Sequence, residues 1–304
     1  MKRYAFLIGC LFASNVLALS PTNFLFRQKI SFPGYTQSEV LTNFPALVVF
    51  DETLNNVYHG MAASNAGDLR FSDETLTNEL NYEVETWNPA GESFVWVQVP
   101  ALSNGACIYA YWSSSTQTNP PAYTTNGGTW SEGYTAVWHF AADASDSAQS
   151  HDGALMGDPT FLDNGVVDGA LNLDGVGDFL NAGPGFADFT GGITVEAWAR
   201  TEAYRNWSRI IDFGNAAGVD NILLARIGVS DDLRWEFHDT PALNVNEIHD
   251  VIGAPIYALN QWQHFVATVE GGANDASLSL VYRDGIEIGR KPDHSPPVVV
   301  NRTL

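Results

Sequence analysis

The chain has few cysteines, few basic residues and no sustained helical periodicity. Its cysteines are Cys10 and Cys107, and Cys10 lies in an N-terminal segment that we expect to be removed, so a disulfide framework is excluded. Lys and Arg number 14 against 35 Asp and Glu, a formal net charge of −21. Because so acidic a chain repels phosphate backbones, no nucleic acid partner is expected. Short alternating runs between Gly-rich and Asn/Asp-rich turns predict an all-β protein.

Residues 1–18 have the pattern of a secretory signal peptide. Two basic residues precede an apolar stretch, and Val16 and Ala18 supply small side chains at positions −3 and −1 of a cleavage site. The stretch is shorter than the roughly 20 apolar residues of a spanning helix, and after its removal no transmembrane segment is expected. The sequence therefore predicts a secreted protein of the periplasm, outer envelope or extracellular space. Its mature net charge would be 12 − 35 = −23.

Residues 24–118 predict a small antiparallel β-sandwich. In FVWVQV (94–99), valines occupy one face while Phe94 and Trp96 occupy the other, a pattern that favours a central strand. The following motifs occur in order along this region: LTNFPALV (41–48), GDLRF (67–71), YEVETWN (82–88), FVWVQVP (94–100) and IYAYW (108–112). Together they resemble a bacterial domain family of unknown function.

That resemblance implies a partner domain and a setting, but it implies no catalytic residues. Members of the family often precede a LamG-like domain in secreted envelope proteins. In some bacteria the pair is encoded beside MotA/TolQ/ExbB-type proton channels. Residues 119–134, rich in Ser, Thr, Asn, Pro and Gly, predict a linker to the next domain.

Residues 135–304 contain a second series of strand and turn motifs. They are TAVWHF (135–140), DGALNLDG (168–175), ITVEAWAR (193–200), WQHFVATV (262–269) and VYRDGIEIG (281–289). Their order resembles the LamG-like jelly roll of the concanavalin A-like lectin/glucanase superfamily. The resemblance implies a C-terminal jelly roll used mainly for binding. Family members usually continue beyond a segment like 298–304, so we expect the domain to be C-terminally incomplete.

The sequence offers little support for catalysis, and we predict that the protein is not an enzyme. The ExDxxE motif of the related glucanases, the GxSxG turn of hydrolases and the HExxH zinc motif are all missing from the sequence. Glu83 and Glu85 share one strand face, and we interpret them as a solvated face. A glycoside hydrolase, which needs paired carboxylates, remains the second alternative function.

Calcium is the metal that the sequence favours. Asp146 lies in an Asp-rich turn, and Asp174 and Asp178 lie in LDGVGDFL (173–180). Carboxylate and carbonyl oxygens on turns are the ligands that calcium prefers, and similar LamG-like domains often bind calcium near the ligand rim. The alternative is that these side chains only form Asx-turns.

Trp207, with Arg205 and Asn206 beside it, is the predicted ligand-binding group. It lies between strands, whereas Trp96, Trp138, Trp198, Trp235 and Trp262 lie in strand-like motifs and are interpreted as core. The predicted function is non-catalytic binding or adhesion, in which rim loops recognise a polysaccharide or a cell-surface protein. The first alternative is an accessory of a bacterial envelope transport or energy-transduction assembly.

Overall fold

The computed structural model describes residues 19–51, 57–61, 63–186, 188–215, 221–230, 232–238, 248–253, 258–271, 277–294, 299 and 301–304. The predicted signal peptide lies outside these residues. The chain divides into two compact units, residues 1–137 and 138–304. The structure is nearly all β, as predicted. Within the described residues, no helix combines the length and the apolar character that crossing a membrane requires.

The first unit is a sandwich of antiparallel sheets. Its strands are β1 (Phe26–Ser31), β2 (Leu41–Phe50), β3 (Arg70–Ser72), β4 (Tyr82–Thr86), β5 (Ser93–Leu102) and β6 (Cys107–Trp112). Single helical turns lie at Pro21–Asn23, Val57–Gly60, Ala122–Thr124 and Gly128–Trp130. The described strands pair in the orders β2-β5-β4 and β1-β6-β3.

The position of β5 agrees with its apolar pattern. It is the central strand of its sheet, and Val95 and Val97 point into the core and are fully buried. The facing sheet contributes Phe71, Ile108 and other side chains to the same core. Burying valines on alternate positions of a central strand fixes the register, because a shift by one residue would turn them to solvent.

The segment predicted as a linker, residues 119–134, instead packs on the first unit. Trp130 is 5 % exposed, and its indole N–H donates a 2.5 Å hydrogen bond to Glu83 Oε2. Asn81 Nδ2 donates to the Gly128 carbonyl at 3.1 Å. Trp130 thus anchors the segment to the first unit, although residues 131–133 and several others stay exposed and its Ser, Thr, Asn and Pro content is typical of a linker.

The second unit carries the remaining strands. They are β7 (Ala154–Met156), β8 (Thr160–Leu162), β9 (Ala170–Asn172), β10 (Phe179–Asn181), β11 (Pro184–Phe186), β12 (Gly192–Arg200), β13 (Arg209–Phe213), β14 (Ile222–Arg226), β15 (Leu233–His238), β16 (Ile248–Gly253), β17 (Trp262–Glu270), β18 (Ser277–Arg283), β19 (Ile286–His294) and β20 (Arg302–Thr303). In the described part of the chain, the larger sheets have the orders β12-β17-β18-β19 and β13-β14-β15-β16.

These larger sheets contribute to one hydrophobic core. Val195 and Phe265 point into it from the first sheet, and Leu224 and Trp235 point into it from the second. The hairpin between β18 and β19 turns at Asp284-Gly285, where both residues have positive φ, 51° and 76°. This is the turn that the Asp-Gly pair predicts, because its backbone twist matches that of the strands.

Trp235 is fully buried, as predicted, but the core interpretation of Trp198 is wrong. The Trp198 side chain is 49 % exposed. The alternation of β12 explains this, because Val195 and its inward-facing neighbours occupy the core side while Trp198 shares the outer side with Glu196. The alternation of the strand therefore places Trp198 on the outer face, although tryptophan generally prefers to be buried.

Candidate functional site

Neighbouring turns at one end of the second unit form the candidate site. β7 pairs with β10, and β8 pairs with β9. This pairing places the β7–β8 turn (157–159) next to the β9–β10 turn (173–178). Carboxylate oxygens of Asp158, Asp174 and Asp178 lie within 4.8 Å of one another. Sequence reasoning predicted two members of this group and missed Asp158.

Asp178 connects the two turns. Its Oδ1 accepts the backbone N–H of Asp158 at 2.9 Å, and its Oδ2 accepts that of Asp174 at 3.0 Å. These two backbone hydrogen bonds hold the pKa of the Asp178 carboxyl below its ordinary value, and the one from Asp174 has the larger effect. Gly157 permits the contact, since a Cβ there would lie 2.3 Å from Asp178 Oδ1. The carboxylate is thus ionised and pre-positioned in the loop.

A third loop, between β12 and β13, joins the same site. Arg205 Nη2 donates to the Asp174 carbonyl at 2.9 Å. Its side chain lies over Gly175, where a Cβ would come within 2.5 Å of Arg205 Nε. The structure therefore brings the predicted ligand residue Arg205 to the predicted metal residues Asp174 and Asp178. We call this group of turns the rim site, with Asp158, Asp174, Asp178 and Arg205 as its members.

Trp207 and Asn206 follow Arg205 in the same loop. Asn206 is exposed, and Trp207 is half-buried with a φ of 56°. The Trp207 N–H donates to the Gly228 carbonyl at 3.1 Å, and the guanidinium carbon of Arg234 lies 5.8 Å from its ring centroid. Trp207 is therefore held beside the rim site but already packs against an arginine.

Arg226, on β14, holds the β12–β13 loop in place. It is 4 % exposed, and its guanidinium donates to the carbonyls of Arg205, Val229 and Ser230. The guanidinium carbon also lies 4.8 Å from the ring centroid of Tyr204. A buried guanidinium with these contacts holds loops in place, because its planar N–H donors each meet a backbone carbonyl. Sequence reasoning missed Arg226 because its strand, ILLAR, reads as core.

Asp146 lies in a turn of its own. It is 3 % exposed, and its carboxylate accepts backbone N–H groups of Ala148, Ser150 and His151 at 2.8–2.9 Å. These are the contacts of the Asx-turn alternative. The group of carboxylates found within the described residues comprises Asp158, Asp174 and Asp178.

Glu83 and Glu85, in the first unit, are not a freely solvated face. Glu85 Oε2 accepts the indole N–H of Trp96 at 2.5 Å, and Glu83 accepts that of Trp130. Both carboxylates are part-buried. Satisfying indole donors at the sheet surface is a structural role, and the pattern of acids alone could not predict it.

Removing the Asp178 carboxylate should loosen both turns. In Asp178→Ala, the backbone amides of Asp158 and Asp174 lose their acceptor, so we expect their hydrogen exchange to accelerate by about tenfold or more. The amide of Leu80 in the first unit, which donates to the Phe71 carbonyl at 3.0 Å, serves as the internal reference. Hydrogen exchange followed by NMR measures all of these amides, and unchanged rates at Asp158 and Asp174 would contradict the role given to Asp178.

The sheets and rim loops define the class of the second unit, a jelly-roll sandwich. Residues 174–303 match the family model of the concanavalin A-like lectin/glucanases superfamily, Laminin_G_3. Residues 65–132 match the model of a domain of unknown function, DUF2341. The chain thus carries the two domains in the order that the sequence predicted. No curated protein matches the chain.

A LamG-like domain is in general a carbohydrate- or protein-binding module. Both matched domain types are typically non-catalytic. The matches therefore agree with a site built from loops rather than from a catalytic constellation. They leave the ligand of the rim site to be inferred from its chemistry.

Proposed function

We propose that the chain is a secreted, non-catalytic binding protein that recognises a polysaccharide or a cell-surface protein through the rim site. The observation that carries the proposal is the convergence of loops from β7–β8, β9–β10 and β12–β13 on the carboxylates of Asp158, Asp174 and Asp178. Loops held on a rigid sandwich are the usual carriers of recognition. Secretion rests on the signal-like pattern of residues 1–18.

Calcium fits the donor set of the rim site. The residues offer carboxylate oxygens on turns, which are the hard ligands that calcium takes. Asp158 and Asp174 are exposed, so their oxygens are accessible to an ion from solvent. A bound ion would link the turns and offset the repulsion between their carboxylates. The chain's own residues, Asp178 and Arg226, hold the loops in position for it.

Calcium should stabilise the second unit. An ion that binds only the folded state, at a hundredfold excess over its Kd, adds about 2.7 kcal/mol, which corresponds to roughly 5 °C or more in Tm for a domain of this size. Thermal unfolding with calcium and with chelator measures the shift. It should disappear in Asp158→Asn/Asp174→Asn and persist in Asp163→Asn, which removes an exposed acid elsewhere on the unit. Equal midpoints with calcium and chelator in the native chain would refute the calcium proposal.

A glycan array and a cell-surface binding assay, each with and without calcium, test the ligand. Binding that the rim variant loses supports recognition through these loops. Absence of binding to every glycan and to cells would overturn the proposed function.

The second candidate function is that of an accessory to an envelope transport or energy-transduction assembly. The match to the domain of unknown function ahead of the LamG-like domain favours it, because the sequence resemblance links that pair to MotA/TolQ/ExbB-type proton channels. Crosslinking in the native organism followed by identification of the partner tests it. Recovery of a proton-channel subunit, together with absent glycan binding, would select this candidate over the first.

A further inference from the structure

A second surface of the same unit has the features of a binding site. It is the outer face of β12 and β17, on the side of their sheet that points away from the core. The outward residues of β12 are Thr194, Glu196, Trp198 and Arg200, and their partners on β17 are Thr268, Val266, His264 and Trp262. We call this surface the β12–β17 outer face.

The aromatic side chains of this face lie next to one another. Trp198 and His264 are direct cross-strand partners, and their ring centroids are 5.0 Å apart with 38° between the planes. Trp262 is the diagonal neighbour of Trp198, at the roughly 7–8 Å separation that such neighbours have in an antiparallel pair. Arg200 lies over it, with 5.5 Å from the guanidinium carbon to the ring centroid. The rings therefore form a row across adjacent strands.

Trp198 does not contribute to the hydrophobic core of the unit. Its side chain is 49 % exposed, while Val195 and Phe265 already fill the core side of the two strands. Leaving part of a large apolar ring in water forgoes the burial energy that tryptophan normally contributes. Clustered rather than scattered exposed apolar side chains mark binding surfaces.

Charged groups flank the rings and are already paired within the protein. Glu196 and Arg200 lie on either side of Trp198 on the same strand face; Glu196 Oε2 is 3.9 Å from His264 Nε2, and Arg200 Nη2 is 3.0 Å from Glu202 Oε1. This local pairing contrasts with the chain's net charge of −21. A strongly charged partner of either sign gains little from such a face. An uncharged ligand rich in hydroxyls fits it, because a carboxylate accepts and a guanidinium donates hydrogen bonds.

We propose that the β12–β17 outer face binds an uncharged polysaccharide whose sugar rings stack on Trp198. The face of an aromatic ring is electron-rich, so it attracts the weakly positive C–H groups on the flat side of a pyranose. Arg200 covers the Trp262 ring, so Trp198 is the ring of this row that a sugar stacks on. The inference rests on the proposal that this unit is a binding module, but it uses a surface separate from the rim-site residues.

Pull-down isotherms on microcrystalline cellulose, chitin and insoluble β-1,3-glucan test the proposal with the full chain. We expect the native protein to bind at least one of these, and Trp198→Ala to weaken that binding by about tenfold or more, the loss typical of a central aromatic contact. Trp198→Phe should recover most of the affinity because it restores a ring. Ile286→Ala, which trims an exposed apolar side chain at the hairpin of the same sheet (67 % exposed), should bind normally.

The outcomes separate this inference from the rim site. Loss in Trp198→Ala with normal binding in Asp158→Asn/Asp174→Asn supports the outer face. The reverse pattern overturns it and leaves the rim-site proposal standing, as does absence of binding to all three polysaccharides with retained calcium-dependent binding to cells. Sedimentation that shows a native dimer dissociated by Trp198→Ala would also overturn it, because the face would then be a contact between copies. Unfolding midpoints of each variant confirm that the chains compared are folded.

Discussion

Lowering the pH from 7 to 4 is expected to destabilise the second unit by roughly 3 kcal/mol through His139 alone. Burial lowers the pKa of His139 from 6.5 to about 4, and the nearby charge of Asp146 only partly opposes this. Between these values the unfolded chain binds a proton that the folded chain excludes. The free energy of unfolding therefore falls by about 1.4 kcal/mol for each pH unit in this window and levels off below it.

Chemical denaturation at a series of pH values, followed for the native chain and for His139→Gln, measures this contribution. The variant has no proton to take up at this position, so the difference in pH slope between the two chains isolates His139. A matched control is His264→Gln, which changes a histidine on the outer face of β17. Parallel pH profiles for the native chain and His139→Gln would contradict the prediction.

The strands of this fold could be predicted because their signal is local. The alternation in FVWVQV is enough to place β5 at the centre of a sheet, and Asp284-Gly285 is enough to place a hairpin. The segment 119–134 shows the limit of that reasoning. Its composition is typical of a linker, while its attachment to the first unit depends on Trp130 meeting a sheet that is distant in sequence.

The rim site was predicted in part for the same reason. Asp174 and Asp178 share one short turn, so their proximity can be predicted from spacing. Asp158 lies about twenty positions away and reaches them only through the pairing of β7 with β10, which the sequence does not specify by itself. Arg226 contacts Val229 and Ser230 within its own turn, but it reaches the Arg205 carbonyl, 21 positions away, only through tertiary geometry.

Trp198 was assigned to the core from residue type, although its strand pattern already grouped it with Glu196. Where the two signals conflict, the period of the strand is the stronger one, because reversing it would expose several residues to bury one. An aromatic residue on the polar face of a strand is therefore better interpreted as a surface feature. Here the Trp198 ring packs against that of His264 on the neighbouring strand.

Replacing Arg226 by alanine is expected to cost about 3 kcal/mol, roughly 6–12 °C in Tm for a domain of this size. The substitution removes charged donors from the carbonyls of Arg205, Val229 and Ser230 and leaves a cavity beside Tyr204. Arg226→Lys should recover less than half of the loss, since one ammonium cannot reproduce the planar set of guanidinium donors.

Calorimetry of the full chain gives the transition of the second unit, and Arg290→Ala, at an exposed pair with Glu287, should leave it unchanged. A loss below about 1 kcal/mol in Arg226→Ala would show that water replaces the guanidinium and that the loops are held from elsewhere. A full loss accompanied by the disappearance of the calcium shift would show that this buried arginine positions the rim site.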